Sequence, residues 1–182
     1  MYGKALLLAI PLSLAACAGD DITTASPQTT EERAEVAQAR ADLLRADPNI
    51  DKFFREAYGY AIFPSVGKGG LVVGGARGDG WVYERGNLVG QAELTQVSVG
   101  AQAGGQAFTE VIFFRDKSSL EKFKSGDLEL GAGVSAVALK NQALASAGYD
   151  TGGMLVVVHG QGGLMAEASV GGQSFDYEPI GK

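Results

Sequence analysis

The sequence predicts an α+β domain with two or three helices and a mainly antiparallel sheet of about seven or eight strands, a sheet that could close into a barrel. Three observations predict it. Apolar residues recur at helical spacing ahead of Gly59 and again around residue 120. The rest of the chain is a series of short runs rich in Val, Ile, Phe and Tyr. Glycine-rich steps separate those runs at hairpin distances, too short for helical crossovers between parallel strands. A length of 182 residues suits one domain, and 46% hydrophobic with 20% charged residues is a globular composition.

The chain opens with "MYGK", a short positive segment, and "ALLLAIPLSLAA", an apolar run too short to span a bilayer and interrupted by Pro11. It leads into Cys17, the one cysteine of the chain. "LAAC" at 14–17 looks like a bacterial lipobox, in which small residues admit the signal peptidase and the thiol takes the lipid. The expected organisation is a signal peptide over 1–16, a lipidated N-terminus and flexible tether over 17–30, and a single domain over 31–182. More than one acyl chain on Cys17 would give stable membrane anchoring. Ala18 follows the cysteine, where an aspartate favours inner-membrane retention in enteric bacteria. The expected location is therefore the outer membrane, facing the periplasm.

Thr29 and Glu32 fit a capping box for a helix running to about Ala46, with a thin apolar face of Val36, Ala37, Leu43 and Leu44 interrupted by Arg40. The face suits a helix packed loosely on the domain better than one lying on a membrane. Asp47 and Pro48 suit the start of a second helix, Ile50, Phe53, Phe54, Ala57 and Tyr58 form its apolar stripe, and Gly59 suits its end. "YAIF" reads as a strand stopped by Pro64. "GLVVGGAR" and "GWVYER" read as two strands joined by a tight turn at Gly78-Asp79-Gly80, and "RGN" at 85–87 as another turn. "NLVGQAELTQVSVGAQ" and "QAFTEVIFF" are strands, and "DKSSLEKFKSG" is a short helix burying Leu120 and Phe123. "DLELGAGVSAVAL" is a bent strand and "KNQALASAGYDTGG" a loop. "MLVVVHG" and "GLMAEASVGGQSFDYE" read as a closing hairpin across "GQGG".

Composition and spacing exclude several chemistries. A net charge of −6 opposes general nucleic-acid binding, which needs a basic face. The glycine-dense stretch 59–80 fails the Walker pattern, because Gly67-Lys68 is followed by Gly69. It fails the dinucleotide pattern because Val72 stands where the third glycine belongs and a strand-like run follows. His159 is the one histidine and reads as an edge residue. No G-x-S-x-G occurs, Cys17 is committed to the anchor, and a zinc site lacks ligands. Asp79, Glu84, Glu110, Glu167 and Asp176 are available carboxylates, each more simply read as structural. No metal, cofactor or catalytic residue is expected. Lys68 and Arg77 remain. Each is flanked by small residues that leave backbone N–H groups open, so each could hold a phosphate, and each could equally be a turn residue facing water.

Four stretches together carry a resemblance: "AYGYAIFPSVGKGGLVVGGARGDGWVYE", "LTQVSVGAQAGGQAFTEVIFF", "FKSGDLELGAGVSAVAL" and "GGLMAEASVGGQSFDYE". Over residues 48–178 the chain resembles the SYLF domain family, also known as the yeast actin-binding SH3-protein domain family, in its stand-alone bacterial branch. Lys68, Gly70, Arg77, Gly105 and Glu110 match its core pattern. The resemblance implies a non-catalytic phospholipid-binding module, with Lys68 and Arg77 on the head group and apolar residues near Ile62, Phe63 and Leu71 meeting acyl chains. The chain lacks the family's SH3 or FYVE partner domains and its basic N-terminal segment. Actin and phosphoinositide specificity are therefore not expected. The expected partners are phospholipids and the membrane reached through acylated Cys17. An envelope lipoprotein that binds a protein or peptidoglycan partner is the alternative, and a hydrolase with a carboxylate site the third reading.

Overall fold

The computed structural model describes residues 30–70, 73–99, 106–126, 136–139, 143–161 and 172–180. Thr29, Cys17, Leu71, Gly105 and Glu167 lie outside them, and with them the lipobox, the tether and the proposed capping box. The described chain is α+β, as its sequence predicts. Helices α1 (Thr30–Ala46) and α2 (Ile50–Glu56) precede strands β1 (Gly59–Gly70), β2 (Val73–Glu84), β3 (Asn87–Val99) and β4 (Gln106–Phe114). Helix α3 (Lys117–Lys124), β5 (Ala136–Ala138), a 3-10 turn (Ala143–Ala145), β6 (Met154–Gly160) and β7 (Gln173–Pro179) follow.

The sheet runs β5-β6-β4-β1-β2-β3-β7, antiparallel except for the β5–β6 pair. It has two edges and is not closed into a barrel, but it curls strongly. Strands β4 and β7 are four places apart, which in a flat sheet is about 19 Å. Yet Gln173 of β7 donates a hydrogen bond to Glu110 of β4 at 2.9 Å, and Phe175 of β7 lies 5.8 Å from Phe63 of β1, centroid to centroid. The concave face is thereby defined. It packs Phe63, Val66, Leu94, Phe108, Ile112, Phe114 and Phe175 against Leu120 and Phe123 of α3. The convex face buries Tyr60, Ile62, Trp81, Val111 and Phe113 beneath Val36 and Leu43 of α1 and Ile50 and Phe53 of α2.

The curl explains the glycines and corrects two strand boundaries. Gly78 and Gly80 make no turn. They sit inside one continuous β2, on the concave face, where a Cβ on Gly80 would come within 2.4 Å of the Phe63 ring and one on Gly78 within 2.8 Å of the Ser65 carbonyl. A sheet bent inward crowds its concave surface, and only residues without a side chain fit there. The turn is at Arg85-Gly86, both with positive φ (50° and 81°), the conformation that a two-residue hairpin requires. Nor does Pro64 end a strand. β1 continues through it, with register shifts on both sides marking a bulge in which its missing N–H costs nothing. The Pro64 carbonyl accepts from Thr109 Oγ1 and Gln161 Nε2, both at 2.9 Å.

Three further readings are corrected. Gly59 begins β1 and does not end α2, whose last residue is Glu56; its missing Cβ would lie 2.6 Å from the Tyr83 carbonyl. β6 and β7 do not pair as a hairpin: β6 lies between β5 and β4, and β7 on the far edge beside β3. Asp47 and Pro48 both fall ahead of α2, whose N-cap position is held by Asn49 without a side-chain cap bond, so Asp47 fixes the turn before the helix and does not cap it. Its buried carboxylate accepts from the Asn49 amide (3.0 Å), the Asn49 side chain (2.8 Å) and the Leu144 amide (3.0 Å), tying the helical pair to the 3-10 turn.

Candidate functional site

Lys68 and Arg77 lie on neighbouring strands but on opposite faces. Lys68 pairs with Ala76, whose neighbour across β3 is Gln96, and Gln96 pairs with Gln173 of β7. Directly paired residues share a face, so Lys68, Ala76, Gln96 and Gln173 form one row across the concave side. Arg77 pairs with Gly67 and points to the convex side, so one anion does not touch both cations. Lys68 is 8% exposed and, among the described residues, makes no salt bridge. The Arg77 side chain is 73% exposed and bonded to Glu93 at 2.5 Å.

The Lys68 row forms the polar end of the concave interior. Gln96, Gln173 and Glu110 are buried beside aromatic core. Glu110 receives one hydrogen bond, from Gln173 Nε2, and its Oε1 has no partner among the described residues. Burial in that setting pushes its carboxyl up to about 7, against the opposing pull of the Gln173 bond. Ile62 and Phe63, expected near acyl chains, are fully buried core residues on opposite faces of the sheet.

The remaining carboxylates divide. Glu84 accepts from Lys124 Nζ (2.8 Å) and Tyr58 Oη (2.7 Å), holding α3 to the sheet, and those bonds lower its pKa. Asp79 and Asp176 come together on the convex face, with Glu93 between them in register. They line a cavity of about 570 Å³ under the start of α1, with Glu32 and Glu35 from the helix and Glu178 from β7. A second cavity of about 960 Å³ shares Glu35, Pro64 and Ser65 with it and reaches His159, which is half-buried on β6. Glu35, Glu93, Glu178 and Trp81 were not singled out by sequence reasoning, and Glu32 only as a capping residue. The available signal was an acidic residue within each of β2, β3 and β7 (Asp79, Glu93 and Asp176), and it acquires meaning only through the strand register.

The chain is similar to Beta cell expansion factor A of Aeromonas veronii. The two are 29% identical over 158 residues, a match covering 82% of this chain and 59% of the relative. The chain thus spans less than two thirds of the length of the curated relative it matches. No family model matches it. Among the described residues no helix is long and apolar enough to cross a membrane.

Proposed function

We propose that this chain is a SYLF-family lipoprotein of the bacterial envelope, anchored through acylated Cys17 and binding phospholipid without catalysing a reaction. The observation that carries the reading is the environment of Lys68. A buried ammonium without a carboxylate partner among the described residues favours an anionic guest, because an uncompensated buried charge is costly. Lys68 shares the concave side of the sheet with the buried rings of Phe63, Phe108, Phe123 and Phe175. The head-group phosphate meets Lys68, and the acyl chains stay outside the packed aromatic core. In this reading Arg77, on the other face, does not take part in the head-group contact.

The test uses the full chain with Cys17→Ser and vesicles of phosphatidylglycerol and phosphatidylethanolamine. Saturable co-sedimentation is expected, weakened about tenfold by Lys68→Gln, equivalent to about 1.4 kcal/mol. A folded chain that binds no vesicle sinks the reading, and full binding by Lys68→Gln removes the site. A second reading, an envelope lipoprotein with a protein or peptidoglycan partner, draws support from the acidic cavity on the convex face. A stoichiometric crosslinked partner without vesicle binding would favour it.

A further inference from the structure

Glu110 and Gln173 carry a bonding deficit that one proton settles. Both side chains are fully buried on the concave side. They share one hydrogen bond, from Gln173 Nε2 to Glu110 Oε2 at 2.9 Å. The second oxygen of each, Glu110 Oε1 and Gln173 Oε1, has no partner among the described residues. With the carboxyl ionised both atoms are acceptors, and two acceptors do not satisfy one another. A proton on Glu110 Oε1 makes that atom a donor, and Gln173 Oε1 is the unmet acceptor on the group already bonded to it. Carboxyl and amide then exchange two hydrogen bonds, and neither orphan remains.

The position of the pair gives that proton a mechanical consequence. Among the described residues β7 is an edge strand, laddered to β3 alone. Phe175 anchors its middle, its ring 5.8 Å from that of Phe63 and 5.1 Å from that of Phe123. Gln173 is the last residue of the ladder, opposite Gln96, and Gly172 before it has a φ of 74°. The bond to Glu110 ties this end of β7 across the curl to β4, in the row that holds Lys68. The other described titratable groups of the concave side are Lys68 on β1 and, at the opposite end, Tyr58, Glu84, Tyr177 and Lys124 of α3. His159 of β6 pairs with Thr109 and so lies on the other face. None of these bonds to Glu110, and burial sets its titration.

We propose that Glu110 and Gln173 form a proton-operated latch, closed while Glu110 carries its proton and released when that proton passes to solvent, so that the Gln173 end of β7 lifts from β4 and uncovers the Lys68 row. An ionised carboxylate with a single donor needs water, and parting the pair admits it. The latch stands on its own; its gating of Lys68 rests on the phospholipid reading.

The test follows amide hydrogen exchange of the full chain by mass spectrometry at about pH 5.5 and about pH 8, with rates corrected for their intrinsic pH dependence. Protection of residues 172–180 is expected to fall at least about tenfold between the two. The faster exchange should not depend on low urea, because a local opening exposes little surface, whereas exchange in 106–114 should. Glu110→Gln keeps a neutral pair at both pH values and is expected to abolish the fall. A parent whose protection holds, a fall that survives in Glu110→Gln, or equal urea dependence in the two stretches overturns the latch. If Glu110→Gln loses its fold, Gln173→Ala decides: weak protection at both pH values is expected, and a fall like the parent's overturns the proposal. Vesicle co-sedimentation reads the gating. Parent and Glu110→Gln are expected to bind equally at about pH 5.5, and the parent several-fold more tightly at about pH 8 despite its extra negative charge. Equal binding at both overturns the gating. No vesicle binding by any folded chain overturns the phospholipid reading, and exchange still judges the latch.

Discussion

Asp47 and Glu110 are both fully buried carboxyls, one at the α1–α2 junction and one inside the curled sheet, and the protein treats them in opposite ways. Burial alone pushes both upward. At Asp47 the push is outweighed by the amides of Leu144 and Asn49 and the Asn49 side chain, so its carboxyl ends below the ordinary value. Glu110 has one donor, Gln173, and burial wins. The difference is a count of N–H groups: three at one site and one at the other. A buried carboxylate with several donors is a structural joint. One left with an unpartnered oxygen beside Gln96 and Gln173 is stabilised by keeping its proton.

The widest break in that comparison comes from pH. A carboxyl whose folded pKa is raised contributes stability that is fully present below its unfolded pKa. That contribution declines as pH rises and is lost above the folded value. For Glu110 the decline runs from about 4.5 to about 7 and totals ~3 kcal/mol. Glu110→Gln should therefore match the parent near pH 4 and exceed it by ~2–3 kcal/mol at pH 8, read by urea unfolding at both values. A parent whose stability does not fall across this range, or a variant no more stable at pH 8, would show that the Glu110 environment is wetter than the geometry indicates.

Asp47→Ala tests the other side. It leaves the Leu144 and Asn49 amides without their acceptor, and a buried unsatisfied group costs about 1–3 kcal/mol. A loss of ~2 kcal/mol at neutral pH is expected. The lowered pKa sets the sign: the stabilisation is present above the unfolded pKa and is lost as pH falls through the still lower folded value, so parent and variant should converge in strong acid. The same urea experiment run downward from neutral pH measures it. A constant difference across the acid range would mean that Asp47 acts by packing and not by charge.

Much of this architecture was legible in the sequence, and the misreadings share a cause. β3, β4 and α3 follow from local pattern, because alternation and a short amphipathic run need only their own residues. Gly78-Asp79-Gly80 did not, since a glycine that makes a turn and a glycine that yields to Phe63 look alike until the sheet is curled. The β6–β7 hairpin failed for a related reason: adjacency in sequence suggested pairing, whereas β7 crosses to the far edge beside β3. Lys68 stood out as a cation among glycines, but its face is set by its pairing with Ala76. The acidic row was invisible because Asp79, Glu93 and Asp176 lie on three strands that only the register aligns.

The smallest expected effect separates the two faces most cleanly. Arg77 and Glu93 form an ion pair whose side chains are 73% and 31% exposed, and exposed pairs contribute under about 1 kcal/mol. Arg77→Ala should therefore change stability by only a few tenths of a kcal/mol and leave vesicle binding as it was, because that side chain points away from Lys68. On the convex face it removes the cation that partly neutralises the carboxylate row. A fall in vesicle binding would place Arg77 in the head-group site despite its orientation.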